Sequence, residues 1–318
     1  MLEARPGSDA LLRFTEHPAA AVRRTAVHLL AGSGRPELPR RLSELATDPD
    51  PAVRTAAAAA ARRIRTAPPP LQISLLGGFR LQRGAWVADD AAWGRRAARR
   101  LVRLLLVHRP EPVPEDVLLE AFWPDAPADA ARHSLQTAVS SARRLLDPPG
   151  GSTVLETSGG GYRLRLGERD SVDAERFERA AEAALAATGG ERLRLLAAAA
   201  ELWGGEPLPE EGFADWAAAW RERLVDRYTA VLSALAQGRL DAGELPAATG
   251  AAGRLVRRDP LNEAGHRILM RANARAGRRS RSLRQYLECR HALVESLGVE
   301  PAAETSELQR RILAGEPV

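Results

Sequence analysis

Apolar and polar positions alternate with different periods along the 318-residue chain. Over residues 11–65 the period is helical and the pattern repeats. His17-Pro18-Ala19-Ala20-Ala21-Val22-Arg23 matches Asp48-Pro49-Asp50-Pro51-Ala52-Val53-Arg54 at an offset of 31 residues. In each copy proline opens a helix, valine and alanine bury, and arginine stays out. This predicts stacked helix pairs over residues 1–66, followed by a stiff linker at 67–70, Ala67-Pro68-Pro69-Pro70. From Leu71 the pattern alternates, and Leu71–Gly77, Phe79–Gln82 and Trp86–Ala88 read as short strands. Helical spacing returns over Arg95–His108. Its apolar side carries Ala98, Leu101, Val102, Leu105 and Leu106, and Arg95, Arg96, Arg99, Arg100 and Arg103 are expected to be largely exposed. Pro114 then opens a short helix over Glu115–Phe122, which Trp123-Pro124 closes.

The next stretch, Ala128–Leu146, is a helix with two faces. At about 100° per residue, Ala131, Leu135, Ala138, Val139, Ala142 and Leu146 share one side. His133, Gln136, Thr137, Ser140 and Arg144 share the other, with Arg132 and Arg143 on the shoulders. No acid lies between Asp129 and Asp147, so nothing on the polar face repels a phosphate. Asp147-Pro148-Pro149-Gly150-Gly151 stops this helix. Thr153–Thr157 and Tyr162–Leu166 then form a hairpin around Ser158-Gly159-Gly160-Gly161. From Val172 to Leu313 the chain reads as helices joined by short Gly or Asp-Pro turns, with Asp173 as the expected cap of the first.

Composition narrows the chemistry. All 46 basic residues are arginine, so a GxxxxGK phosphate loop and lysine Schiff-base chemistry are excluded. The single cysteine, Cys289, excludes an intramolecular disulfide and a cysteine-based zinc site, and its helical spacing predicts a buried, inert thiol. The six histidines lie far apart without metal-ligand spacing, and no GxSxG elbow is present. Glu210-Glu211 reads as part of a solvated loop, and Trp203, Trp216 and Trp220 as core. No enzyme, cofactor or metal is expected. Neither a signal peptide nor a membrane span is apparent, which predicts a cytoplasmic protein. The net charge of +5 is uneven: residues 1–70 carry 11 arginines against 7 acids, 71–166 carry 13 against 10, and 167–318 carry 22 against 24. A basic front suits an anionic partner.

Strands, helix, short helix, turn, polar-faced helix and hairpin is the order of a winged helix-turn-helix, whose second helix enters the major groove. The residues Arg99-Arg100-Leu101, Pro114-Glu115-Asp116-Val117-Leu118, Phe122-Trp123-Pro124-Asp125, Leu135-Gln136, Arg143-Arg144-Leu145-Leu146 and Gly161-Tyr162-Arg163-Leu164 resemble the OmpR-type winged helix. More closely, they resemble its version in the antibiotic regulatory protein (SARP) family of bacterial activators. Residues 71–166 are assigned to that domain. Residues 172–314, through Asp173-Ala174-Glu175-Arg176-Phe177, Leu202-Trp203-Gly204-Gly205-Glu206-Pro207-Leu208 and Asp259-Pro260-Leu261-Asn262-Glu263-Ala264, resemble the tetratricopeptide-like bacterial transcriptional activator domain. Asp48-Pro49-Asp50-Pro51-Ala52-Val53-Arg54 resembles a short HEAT repeat. The fold class expected is therefore mainly α, with a small sheet and wing in the middle.

The family often has Ser-Arg-Leu-Arg-Arg where this chain has Ser140-Ser141-Ala142-Arg143-Arg144. The departure implies a lost groove arginine at 141 and a thinner core at 142. His133, Gln136, Thr137 and Ser140 are the candidates for base edges; Arg132, Arg143, Arg144, Arg99 and Arg163 are the candidates for DNA contact beside them. The resemblance implies a transcriptional activator of double-stranded promoter DNA with short direct repeats. It also implies a C-terminal domain that dimerises or contacts RNA polymerase. The alternative is a helical-repeat scaffold in which the winged helix is vestigial.

Overall fold

A computed structural model of the chain describes residues 7–66, 68–147 and 153–318. Expectations on 1–6, Ala67 and the Pro148–Gly151 stop lie outside the described residues. Those residues form fifteen α-helices and seven short strands in two compact units. The first unit holds the chain through Asp173 together with Leu208–Trp220; the second holds Ala174–Pro207 and Arg221 onward. The expected division at 166/172 puts Leu208–Trp220 among the C-terminal helices, whereas contacts place it in the first unit.

The first unit opens with α1 (Gly7–Phe14), α2 (Ala20–Leu30), α3 (Leu38–Leu45) and α4 (Pro51–Thr66). Val27, Leu30, Leu38, Leu42, Val53 and Ala57 form their common core. The repeat has a hydrogen-bonding meaning. Arg23 Nη1 donates to the carbonyls of His17 and Pro18, both at 2.8 Å. Arg54 Nη1 donates to those of Asp48 and Pro49, at 2.7 and 3.0 Å. Each arginine thus folds back on the loop that precedes its own helix and satisfies carbonyls left without helical partners. Arg23 also grips Asp48 in a fork, with Nε and Nη2 each 2.8 Å from a carboxylate oxygen, which ties the two copies together.

Hydrogen bonding from Arg23 holds the Asp48 carboxyl below its ordinary range. The depressed folded-state value means that the stabilisation is present above the unfolded-state pKa and is lost as pH falls through the folded one. Acid titration of the N-terminal helices should therefore show a loss of helicity at low pH that Asp48→Asn removes. An identical acid limb in the two proteins would refute it.

The sheet that follows is built from β1 (Leu71–Ser74), β2 (Arg80–Arg83) and β3 (Trp86–Val87), in antiparallel succession. Leu71, Ile73 and Leu81 are buried, as alternation predicts. On its other edge β1 pairs in parallel with a two-residue strand, β7 (Ser171–Val172). Carboxylates brace that edge: Asp170 accepts from the amide of Leu71 at 2.7 Å, and Asp173 accepts from those of Leu75 and Leu76 at 2.7 and 3.2 Å. Asp173, expected to cap the next helix, thus also receives amides at the end of β1.

The N-terminal helices meet this sheet through main chain. Trp86 N–H donates to the Ser33 carbonyl at 2.8 Å. A Cβ on Gly34 would lie 1.9 Å from the Arg83 carbonyl oxygen, and one on Gly84 would lie 2.6 Å from that of Gly32. Glycine at both crossing points is what allows the backbones to come so close.

A short helix, α5 (Asp90–Trp93), precedes α6 (Arg96–Val107); Asp89 caps α5 through the amide of Ala92. Then come β4 (Val113–Pro114), α7 (Glu115–Phe122) and α8 (Ala128–Leu146). The hairpin β5 (Leu155–Ser158) and β6 (Gly161–Leu164) follows, with β4 against β6. One expectation fails in α6. Arg103 is buried, not exposed, and its guanidinium pairs with Glu211 and lies 5.3 Å from the centre of the Phe79 ring. Glu211 in turn is buried, against the expected solvated loop. Leu208 N–H donates to the Leu75 carbonyl at 2.8 Å, and Glu210 accepts from the Phe79 amide at 2.6 Å. The stretch 208–211 is fastened to the sheet and α6 by these bonds.

The second unit contains α9 (Asp173–Ala186) from Ala174 onward, α10 (Arg192–Glu201), the greater part of α11 (Asp215–Asp241), α12 (Leu245–Arg258), α13 (Glu263–Arg275), α14 (Arg279–Leu297) and α15 (Ala303–Ala314). Neighbours α12–α13, α13–α14 and α14–α15 pack as hairpins, the stacking that the Gly and Asp-Pro turns predict. Trp203 stacks on Tyr228 with centroids 4.3 Å apart and meets Phe177 edge-on at 5.0 Å. Cys289 is buried, and burial pushes its thiol pKa up to about 11.

Candidate nucleic-acid interface

Two helices and a wing set the geometry. Pro114 and Pro127 stand at the N-caps of α7 and α8, so each helix starts sharply. On α8, Ala131, Leu135, Ala138, Val139, Ala142 and Leu146 are buried, the side that periodicity assigns to the core. Opposite them, Arg132, His133, Gln136, Ser140 and Arg144 are exposed. Thr137 is half-buried and its hydroxyl donates to the His133 carbonyl at 2.9 Å, so its free capacity is as an acceptor.

The arginines are not equivalent. Arg144 stands at the C-terminal end of the exposed row, and its Nη2 donates to the Ser141 hydroxyl at 3.1 Å. Ser141 is buried. Ser141, where the resemblance implies a lost groove arginine, therefore does not face outward; its hydroxyl accepts from Arg144. Arg132 lies 3.5 Å from carboxylate oxygens of Glu115 and Asp129, exposed pairs that screen easily and hold little. Arg143 is half-buried and turned to the wing: Nε donates to the Leu155 carbonyl at 3.1 Å and Nη2 to the Thr157 hydroxyl at 3.0 Å. Asp147, just past the helix, accepts from the amides of Val154 and Leu155 at 2.7 and 3.1 Å. Arg143 and Asp147 together set the wing against the end of α8.

The wing itself is a tight hairpin. Gly159 and Gly160 both have positive φ, 60° and 77°, which the two-residue turn requires. Glu156 stands across from Arg163, and the pair closes at 2.8 Å, with Arg165 3.4 Å from the same carboxylate. Hydrogen bonding from Arg163 holds the Glu156 carboxyl below its ordinary range. The register of the hairpin was the available signal for this pair: residues equidistant from the turn face each other.

Arg99 lies apart from the row. It pairs with Asp90, donates to the Phe79 carbonyl at 3.4 Å and covers the Phe79 ring. Arg100 stands 4.9 Å over the Phe122 ring and 3.3 Å from Glu211. These α6 arginines are braces of the scaffold in the first place. The structure thus brings His133, Gln136, Ser140 and Arg144 into one exposed row with Arg132 at its side. Arg143 and Arg163 shape the wing next to it. Among the described residues no group of three His, Cys, Asp or Glu is placed to hold a metal ion, and no helix is long and apolar enough to cross a membrane.

Comparison with known proteins places these parts. Residues 172–313 match the bacterial transcriptional activator domain, residues 92–164 the C-terminal domain of transcriptional regulatory proteins, and residues 8–103 HEAT repeats. The regulatory protein AfsR of Streptomyces coelicolor is 31% identical over 251 residues, which are 78% of this chain and 24% of AfsR. The chain thus spans about a quarter of the length of that relative. The regulatory protein DnrI of Streptomyces peucetius is 29% identical over 258 residues, covering 78% of this chain and 93% of DnrI. Among solved structures, Mycobacterium tuberculosis EmbR, in complex with a low-affinity phosphopeptide, superimposes with a TM-score of 0.65 at 26% identity, over 79% of this chain and 66% of that one. By name AfsR and DnrI are regulatory proteins, and EmbR of Mycobacterium tuberculosis is a transcriptional regulatory protein. With a match to the C-terminal domain of transcriptional regulatory proteins followed directly by a bacterial transcriptional activator domain, and HEAT repeats in front of them, the chain is similar to the SARP family of regulators.

Proposed function

We propose that the chain is a sequence-specific DNA-binding transcriptional activator acting in the cytoplasm on promoter DNA. The observation that carries this is the exposed row on α8 beside the wing, which offers donors and acceptors and no carboxylate from His133 to Arg144. Gln136, Ser140 and His133 reach base edges in the major groove, with Thr137 as a further acceptor. Arg144 and Arg132 contact phosphates, and Arg163 does so from the wing once it parts from Glu156. The second unit serves dimerisation or contact with RNA polymerase, and short direct repeats are the target; the resemblance to the SARP family supports both.

Arg144→Ala should weaken binding to a promoter fragment alike for all sequences and lower the salt slope by about 1. Gln136→Ala should instead relax the preference at one base pair by roughly 1–3 kcal/mol. Titrations of the full chain at several salt concentrations read both. Absence of any complex with promoter fragments at low salt would defeat the reading and favour a helical-repeat scaffold.

A further inference from the structure

The second unit carries a stripe of arginine that its own carboxylates do not fully cover. Arg267, Arg271 and Arg275 follow one another at helical spacing on a single face of α13. Arg267 donates to the Thr305 hydroxyl of α15 at 3.1 Å and lies 3.3 Å from Glu304. Arg275 donates to the Leu240 carbonyl, at the end of α11, at 3.3 Å and to a main-chain oxygen of Val318 at 2.7 Å. The stripe therefore looks onto α11 and α15, the alternate helices of the stack, and alternate helices in such scaffolds share the concave surface that takes ligands. Arg271, in the middle, is half-buried and has neither a hydrogen bond nor an ion pair among the described residues. Burial and the charges of Arg267, Arg275 and Arg311 lower its pKa, against a weaker pull from Glu304.

Residues 316–318 lie on this groove and show what it accepts. Glu316 pairs with Arg311 at 3.4 Å and stands 4.0 Å from Arg310. The Pro317 carbonyl accepts from Arg311, and Val318 packs against the cluster of Met270, Leu308 and Ile312. Carboxylate and main-chain oxygens go to arginines, one aliphatic side chain enters an apolar socket, and a proline stiffens the backbone between them. This is how an extended peptide is held. Yet the one carboxylate of the segment is taken by Arg310 and Arg311, and Arg271 receives none. We infer that the groove between α13 and α15 is a docking site for an extended acidic segment of a partner protein. An aliphatic residue of that segment takes the place of Val318, a second carboxylate reaches Arg271, and residues 316–318 occupy the site until they are displaced. A nucleic-acid phosphate would suit the arginines but has no use for the aliphatic socket, which favours a peptide. The inference goes beyond the DNA-binding reading of α8 and does not depend on it.

The full chain is titrated by fluorescence anisotropy with a labelled peptide, Ser-Gly-Glu-Pro-Val-Asp-Glu. Two control peptides carry Gln and Asn for the acids, or Ser for the Val. The acidic peptide should bind saturably, and each control about tenfold more weakly. Arg271→Gln should weaken the acidic peptide about tenfold without lowering the melting temperature, since it breaks no hydrogen bond and removes a charge that three arginines repel. Glu316→Gln combined with Val318→Ser should tighten binding severalfold, because the competing segment lets go. If Arg271→Gln leaves the peptide affinity unchanged, or if the neutral peptide binds as well as the acidic one, the site is overturned. It is overturned equally if neither the wild type nor the double variant binds the peptide saturably. A promoter fragment titrated in parallel separates the remaining cases. If Arg271→Gln lowers the salt slope for DNA while no peptide binds, the stripe serves nucleic acid, the peptide site is overturned and the DNA reading stands. If the peptide binds as expected but promoter DNA does not, the DNA reading alone fails.

Discussion

Glu211→Ala is expected to destabilise the first unit by roughly 3–5 kcal/mol, because it leaves the Arg103 guanidinium in a buried site without its counter-charge. The loss is larger than for a surface pair because neither group can turn to water instead. Burial already lowers the pKa of Arg103 against the opposing pull of Glu211; without that carboxylate, only the smaller pull of Glu210 opposes burial. Hydrogen exchange localises the effect. The amides of Leu208, bonded to the Leu75 carbonyl, and of Phe79, bonded to Glu210, should lose protection first. Glu211→Gln, which keeps the shape and part of the hydrogen bonding, should fall between. Wild-type protection at these two amides in Glu211→Ala, with an unchanged melting curve, would show that the buried pair holds nothing.

Gly34→Ala is the second large effect, expected at roughly 2–4 kcal/mol or as outright release of the N-terminal helices from the sheet. Two causes add. Gly34 has φ +75°, where a side chain is strained, and its Cβ would fall 1.9 Å from the Arg83 carbonyl oxygen. That oxygen cannot retreat cheaply, since Arg83 is held in register opposite Leu71 in the β1–β2 ladder. Gly32→Ala is the control: a Cβ there meets nothing within 4 Å. Faster exchange of the Trp86 amide and new proteolytic cleavage near Pro68–Pro70 in the first variant, and neither in the second, is the expected pair of results. Equal behaviour of the two would exclude the close crossing as a fastening.

Both sites mark where local pattern stops being informative. Helical spacing identified the exposed row of α8 and the buried row behind it, because a helix repeats on a scale that a short window contains. It misplaced Arg103, because the partner that buries it lies 108 residues further on. A solvated glutamate and a solvated arginine look the same in sequence as a buried pair. Position near the end of α8 makes Arg143 a candidate for DNA contact but does not reveal that its guanidinium donates to a carbonyl and a hydroxyl of the wing. The strands β4 and β7 have two residues each, too few for alternation to register. They exist because β6 and β1 offer unpaired edges nearby.

The parallel strand β7 bears on how such proteins can be cut and rejoined. The match to the activator domain begins at residue 172, inside Ser171–Val172, and the match to the winged helix ends at 164. A junction placed between the two matches, convenient for an engineer or for recombination between genes, would take from β1 both its neighbour and the carboxylates that receive the amides of Leu71, Leu75 and Leu76. The transplanted winged helix would carry a raw sheet edge, open to pairing with another copy. Inheritance of the two family segments as a block, seam included, spares the protein that hazard.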